Sequence, residues 1–308
     1  MTNLSTTIKA YFRSENKMAW RNIVITQHCK IKYKLNQLVV QTDSDVYQIP
    51  LEDIQAIVIT TTRAVITTYA IAEIIKSGIK IVFSDLNGAP IGEINAYHLN
   101  SNRNQNIHKQ IEWGTNDKAL LWSKIVKCKI QNQVALLNEY RVTDIESINA
   151  LLATIEVGDT SNREAVAARL YFPRLFGNDF VRSGENIGIN DMLDYGYSIL
   201  AAAVAREISA AGYLTELAIH HEGPHNHYNL ASDFMEPFRP IIDRTVKRYA
   251  MEAQLTNEIK FELIDVLNQS LNINGKEMLL TQAIGDIVRT SVGYLNHESA
   301  FPDWNFEI

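Results

Sequence analysis

Cysteine is nearly missing from this chain: Cys29 and Cys128 are the only two in 308 residues, and they form no CxxC pair. That excludes a disulfide framework and a thiolate zinc site, and it fits a reducing cytoplasm. No run approaches the ~20 apolar residues that span a bilayer, and residues 1–17, MTNLSTTIKAYFRSENK, lack the apolar core of a secretory signal. The expectation is a soluble, unexported, cytoplasmic protein with no membrane partner. Several catalytic signatures are also absent: there is no GxxxxGK[ST] loop, no GxSxG elbow and no HExxH pair. ATP hydrolysis and serine hydrolysis lose support accordingly, and NGAPIG at 87–92 reads as a hairpin turn rather than a phosphate cradle. Nor is there an excess of basic charge. The formal net charge of -6 argues against a simple basic nucleic-acid coat, although a whole-chain sum can hide a basic face.

What is present is an ordinary globular composition, 46% hydrophobic and 21% charged, in a chain long enough for two domains. Residues 1–34 are locally basic, with Lys9, Arg13, Lys17, Arg21, Lys30, Lys32 and Lys34 against Glu15 alone. MAWRNIVIT from Met18 reads as a chain start leading into a strand, with residues 1–17 as an N-terminal arm. From Trp20 to about Tyr97 the runs RNIVITQ, KIKYKL, QLVVQT, VYQIP, IQAIVIT, KIVFSD and PIGEINAY are short, β-branched or alternating, and turn residues separate them. TTYAIAEIIKSG carries helical spacing and ends at Gly78. The polar run HLNSNRNQNIHKQ, 98–110, marks a change of composition, and helices are expected at roughly 116–139, 144–156, 161–172, 190–211, 238–266 and 275–296. The fold class is therefore α+β: a small β-sandwich-like domain over 18–100, then a larger, essentially all-α domain over 101–308.

Two stretches carry chemistry. In TSNREAVAARLYF, Thr160 or Ser161 is placed to cap a helix with Glu164 in its first turn, and a glutamate there is ordinarily structural. In HHEGPHNHYNLASDFMEPFRP, 220–240, four histidines precede Asp233 and Glu236. The two carboxylates are three apart, on one face of a helical turn, while Pro237 and Pro240 force any helix there to start late or bend. Three readings stay open: histidines of an ordinary loop, zinc held by His220, His221, His225 and His227, or a carboxylate site for a hard divalent cation with His221, Glu236 and a third carboxylate. Downstream, Arg244, Lys247 and Arg248 form a basic stripe at i, i+3 and i+4, suited to phosphates or to a solvated face.

Taken together, NREAVAARLYF and the segment from His221 through NLASDFMEPFRP resemble the CRISPR-associated integrase and endonuclease of spacer acquisition, the universal adaptation protein of CRISPR systems. The resemblance runs from about Met18 to the C-terminus, opens on WRxxxI, and includes the spacing of fifteen from His221 to Glu236. Ala218 stands where the family often has glycine. The HH pair, MEPFRPI and the chain length look closest to the type II branch. The resemblance implies Glu164, His221 and Glu236 as catalytic metal ligands for Mg2+ or Mn2+, with Asp233 and His220 behind them and Arg244, Lys247 and Arg248 on DNA. It implies a homodimer formed through the β-rich domains, joined to a second Cas protein in a heterohexameric complex. Protospacer and CRISPR-repeat DNA would be the substrates, and the type II effector nuclease and a ring-shaped adaptation protein further partners. The expected reaction is attack of a DNA 3'-hydroxyl on a phosphodiester, with endonuclease capacity. The alternative is a non-catalytic DNA-binding scaffold.

Overall fold

The computed structural model describes residues 21–84, 90–94, 102–182 and 187–307. The proposed arm at 1–17 and the first half of the NGAPIG turn, 87–89, lie outside the described residues. The chain divides into two compact units, residues 1–99 and 100–308.

The first unit is built on two four-stranded sheets. Strands β1 (Arg21–Ile25), β2 (Cys29–Lys34), β3 (Gln37–Gln41), β4 (Val46–Pro50), β5 (Ile54–Ile59) and β6 (Ala64–Ile66) are followed by helix α1 (Thr68–Lys76), β7 (Lys80–Ser84) and β8 (Pro90–Ile94). One sheet has the order β1-β5-β7-β8 and the other β4-β3-β2-β6. Their buried residues, among them Ile23, Ile57 and Ile81 from the first and Ile31, Leu38 and Val40 from the second, join Ala70 and Ile74 of α1 in one apolar core. Strands β1, β5 and β7 pair in parallel, and such strands need apolar residues on both faces, hence the near-continuous IVI and IVF runs. The β2–β3 hairpin pairs Lys34 with Gln37 across Leu35 and Asn36, both at positive φ, the conformation of a two-residue turn that follows sheet twist. Thr67 caps α1 by accepting from Ala70 N–H, and Gly78, at φ 73, turns the chain into β7. Strand β6 was not legible as a separate strand.

The second unit is mainly helical: α2 (Arg103–Ile111), α3 (Thr115–Glu139), α4 (Glu146–Asn149), α5 (Arg163–Phe176), α6 (Ile187–Ala210), α7 (Asn229–Met235), α8 (Arg239–Arg248), α9 (Asn257–Asp265) and α10 (Leu280–Leu295). It also holds β9 (Ser270–Ile273), β10 (Lys276–Leu279) and β11 (Phe306–Glu307) in a small sheet of order β10-β9-β11, an addition to the helical unit that the sequence predicts. The helix expected over 275–296 begins instead as a hairpin, because Asn274-Gly275 (φ 54 and 73) turns the chain through the left-handed region that these two residues tolerate best. The helix expected over 238–266 is two helices; α8 ends at Arg248, and Thr256 starts α9 afresh by accepting from Ile259 N–H. The polar run at the expected boundary contains α2, whose Gln110 uses its whole amide: Nε2 donates to Leu214 O and Leu217 O, and Oε1 accepts from Leu214 N–H.

Helix α3 runs through the interior of this unit. Its buried stripe is Leu121, Trp122, Ile125, Val126, Lys129, Asn132, Gln133, Leu136 and Leu137, the i, i+3, i+4 spacing of a core-facing helix. Three polar side chains, Lys129, Asn132 and Gln133, interrupt that stripe, and the first two touch the site described next.

Candidate active site

Glu164 is positioned by the entry into α5. Asp159, buried at positive φ, accepts backbone N–H bonds from Arg163 and Glu164 at 2.8 and 2.9 Å. It thereby satisfies the free amides of the helix start. The expected caps do something else: Thr160 donates to Glu156 Oε2, and Ser161 Oγ is buried without a hydrogen-bond partner. Glu164, a quarter exposed, extends Oε1 to Lys129 Nζ on α3.

Glu236 follows directly on α7, in a single 3-10 turn, Glu236–Phe238, that leads into α8 with Pro240 in its first turn. The turn arises from the prolines, which cannot continue an α-helical hydrogen-bond ladder. Asn132 of α3 holds it by donating to Pro237 O at 2.7 Å. Glu236 is 3% exposed. Its Oε1 lies 2.9 Å from Arg239 Nε and its Oε2 2.5 Å from Lys129 Nζ, ion pairs that both lack hydrogen-bond geometry. Burial alone would raise the Glu236 pKa, but Arg239 and Lys129 overcome it and hold the carboxyl below its ordinary range. Burial likewise works against the Lys129 ammonium, yet Glu236 and Glu164 keep it above the ordinary lysine value. Two carboxylates that are 72 residues apart in sequence thus meet at one buried cation.

Asp233 fixes the histidine segment. Fully buried, its carboxylate accepts from the N–H groups of Ile219, His220 and His221 at 2.8, 3.1 and 3.1 Å, and its Oδ1 is 2.6 Å from His221 Nδ1. That bond, more than the opposing burial, raises the His221 pKa. A neutral imidazole that gives its Nδ1 proton to Asp233 carries its lone pair on Nε2. His220 turns elsewhere: its ring stacks on Trp122 at 4.1 Å and 6°, and burial lowers its pKa. Its link to Asp233 is through the backbone alone. A cavity opens beside His221, lined by Gln110, Glu216, Ala218, Pro224 and Asn229.

Among the described residues no three His, Cys, Asp or Glu side chains stand as a ready metal cluster. The four histidines are not gathered: His220 is on Trp122 and His221 on Asp233, while His225 and His227 are exposed. Glu164 and Glu236 are gathered, but around Lys129. The donor set nevertheless suits a divalent cation: two carboxylates, one with a buried oxygen unsatisfied by any hydrogen bond, and an imidazole oriented by a carboxylate through its other nitrogen.

Behind Glu236, Asp243 lies buried between two phenols, accepting from Tyr171 at 2.9 Å and Tyr197 at 2.5 Å. Burial outweighs both bonds and pushes its pKa up to about 6 from 3.8. Arg239 lies 4.5 Å over the Tyr197 ring, so this network fixes the guanidinium that faces Glu236. A carboxyl raised in the fold favours folding when protonated, so its contribution is complete below pH 3.8 and is lost as pH rises through about 6. The stability of Asp243→Asn, which does not titrate there, should gain on the native protein by about 2–3 kcal/mol between pH 4 and 6.5. Urea unfolding at several pH values checks this, and parallel curves for the two proteins would contradict it.

The basic stripe lies on the last turns of α8. Arg244 is 3.6 Å from Glu139, Arg248 is 3.9 Å from Glu262, and Lys247 lies 5.9 Å from the rings of Tyr140 and Phe176. These are long, partly exposed pairs of the kind worth little. Sequence reasoning missed Lys129, Arg239, Asn132 and Asp159. The signal for Lys129 was its place, with Asn132 and Gln133, at i, i+3 and i+4 inside an apolar stripe, where an unpaired charge is not tolerated.

The family model for CRISPR associated protein Cas1 matches residues 23–283. The chain belongs to the Cas1 family. It is 33% identical over 277 residues to the CRISPR-associated endonuclease Cas1 of Neisseria meningitidis serogroup C, covering 88% of this chain and 90% of that one. Among solved structures, a casposase bound to integration product superposes with a TM-score of 0.73 at 21% identity, over 92% of this chain and 91% of the other. A Cas6-RT-Cas1–Cas2 complex does so with a TM-score of 0.71 at 19% identity, over 92% of this chain and 35% of the other. These two likenesses establish a shared fold, a β-sheet unit followed by a helical one. No helix among the described residues of this Cas1 protein is long and apolar enough to cross a membrane.

Proposed function

We propose that this Cas1 protein is a CRISPR adaptation integrase, joining the 3'-hydroxyl of a short DNA to a phosphodiester of the CRISPR array, with endonuclease capacity on DNA. The observation that carries the reading is the convergence of Glu164 and Glu236 on one buried point, beside a histidine locked by Asp233. Glu164, Glu236 and His221 Nε2 would hold Mg2+ or Mn2+. When bound, such an ion offsets charge on the phosphoryl oxygens and lowers the pKa of the attacking hydroxyl. The chain's own part is to keep this donor set rigid: Asp159 fixes the start of α5, Asn132 the proline turn, and Arg239 one oxygen of Glu236. No separate general base is invoked.

Two of the partners are supported by what the structural neighbours hold: an integration product on the casposase and Cas2 in the Cas6-RT-Cas1–Cas2 complex. The β-rich unit would form the homodimer, and two such dimers would flank a dimer of the second Cas protein in a heterohexamer, with protospacer and repeat DNA as substrates. The type II effector nuclease and the ring-shaped adaptation protein complete the set. The test is strand joining: labelled 3'-hydroxyl DNA with a CRISPR-array plasmid and the second Cas protein, in manganese or in chelator. Metal-dependent label in the plasmid supports an integrase, whereas stable DNA binding without joining supports a scaffold.

Arg244, Lys247 and Arg248 would contact DNA phosphates, the weak carboxylate pairs of the two arginines exchanging for stronger ones. Replacing all three by alanine should lower the slope of log affinity against log salt by about 2–3, measured by fluorescence anisotropy from 50 to 200 mM salt. An unchanged slope would remove the stripe from the DNA path.

A further inference from the structure

Lys129 is unused by the reading above, on which the following rests. It is 6% exposed, and its ammonium touches both carboxylates of the candidate site. With Arg239 on the other oxygen of Glu236, two cations face the two glutamates, and the formal charges of these four groups already cancel. A divalent ion brought into that volume would face two buried positive charges at close range, where repulsion is weakly screened. Something must give way. Arg239 is held by the Tyr197 ring as well as by Glu236. Lys129 is the movable one: its ammonium sits on a flexible four-carbon stem, whereas the planar Arg239 guanidinium lies against the Tyr197 ring. One turn along α3, Gln133 Oε1 is buried and has no hydrogen-bond partner. At i+4 it shares a helix face with Lys129, an acceptor within the reach of that face for a displaced ammonium.

We infer that Lys129 is the resident counter-cation of the metal site. It holds Glu164 and Glu236 together when no metal is bound, and it gives up Glu236 when the metal enters. It is a positioning residue that sets metal affinity by competing for the same oxygens.

The test is Mn2+ affinity, by calorimetry or by the electron paramagnetic resonance signal of the free ion, for the native full-length protein, Lys129→Gln and Glu236→Gln. Lys129→Gln should bind Mn2+ at least about tenfold more tightly, because one competing charge is gone, and Mn2+ should raise its melting temperature more than that of the native protein. Equal or weaker binding by Lys129→Gln overturns the inference, since a lysine with only a structural role leaves the affinity unchanged. Glu236→Gln separates the two levels. If it loses Mn2+ while Lys129→Gln is unaltered, the inference alone fails. If it keeps Mn2+, or the native protein binds none, the metal site itself is wrong and the inference falls with it. Should Lys129→Gln fail to fold, Gln133→Leu gives the answer: without the acceptor for the displaced ammonium it should bind Mn2+ severalfold more weakly than the native protein, and an unchanged affinity refutes displacement.

Discussion

Glu236→Gln is expected to abolish strand joining, by about a thousandfold or more, and to lower stability as well. The first effect follows, on the proposed function, from removing one anionic donor of the set that would hold the metal ion. The second follows from what the carboxylate does in the fold. It is buried with Lys129 on one oxygen and Arg239 on the other, and removing one partner of such a cluster costs about 3–5 kcal/mol because cations are left buried without compensation. The burial of Glu236 predicts that alanine there costs fold as well as chemistry. Glu164→Gln supplies the separation. Glu164 is only partly buried, so its neutral variant should lose joining to a similar extent with a much smaller fall in melting temperature. If Glu164→Gln and Glu236→Gln both melt like the native protein, the ion-pair account of Lys129 is wrong. If either joins DNA at near-native rate, that residue leaves the ligand set.

The other large effect is expected at Asp233. Asp233→Ala deletes the acceptor of three backbone N–H groups and of the His221 ring, leaving buried donors unpaired at about 1–3 kcal/mol each where water cannot reach them. A total of about 3–5 kcal/mol is expected once the segment relaxes into solvent, with joining reduced by about a hundredfold or more as the imidazole loses its fixed tautomer and orientation. Asp233→Asn, which keeps one acceptor oxygen, should fall between. Thermal unfolding, amide hydrogen exchange at 219–221 and joining rates measure the three parts. Native exchange protection in Asp233→Ala would show that the clamp holds nothing.

This clamp explains why part of the site was legible in the sequence. Asp233, Glu236 and the two prolines lie within a few residues of each other, and their local rules of helix spacing and proline geometry survive folding. Alternation and β-branching likewise marked most strands of the first unit, because each strand had to bury a face or both. What escaped was non-local or atypical. Lys129 acquires its meaning from Glu164 and Glu236, which the fold brings to it from outside its own helix. Helix α2 hides in NRNQNIHKQ because it offers few apolar side chains and is anchored instead by the Gln110 amide. Asp159 caps α5 across a positive-φ turn, which simple counting back from Glu164 does not anticipate. The Asn274-Gly275 hairpin, by contrast, carried a plain turn signal inside a region read as helix.

The central claim is that Glu164, His221 and Glu236 act together on DNA. It is tested most directly by strand joining with the native protein and with Glu164→Gln, His221→Ala and Glu236→Gln side by side. Each protein is assembled with the second Cas protein on labelled 3'-hydroxyl DNA, and DNA occupancy is measured in the same samples. The account predicts manganese-dependent joining by the native complex alone, with all four complexes holding DNA. Joining by any of the three variants at the native rate, or a native complex that holds DNA and never joins it, would contradict the account.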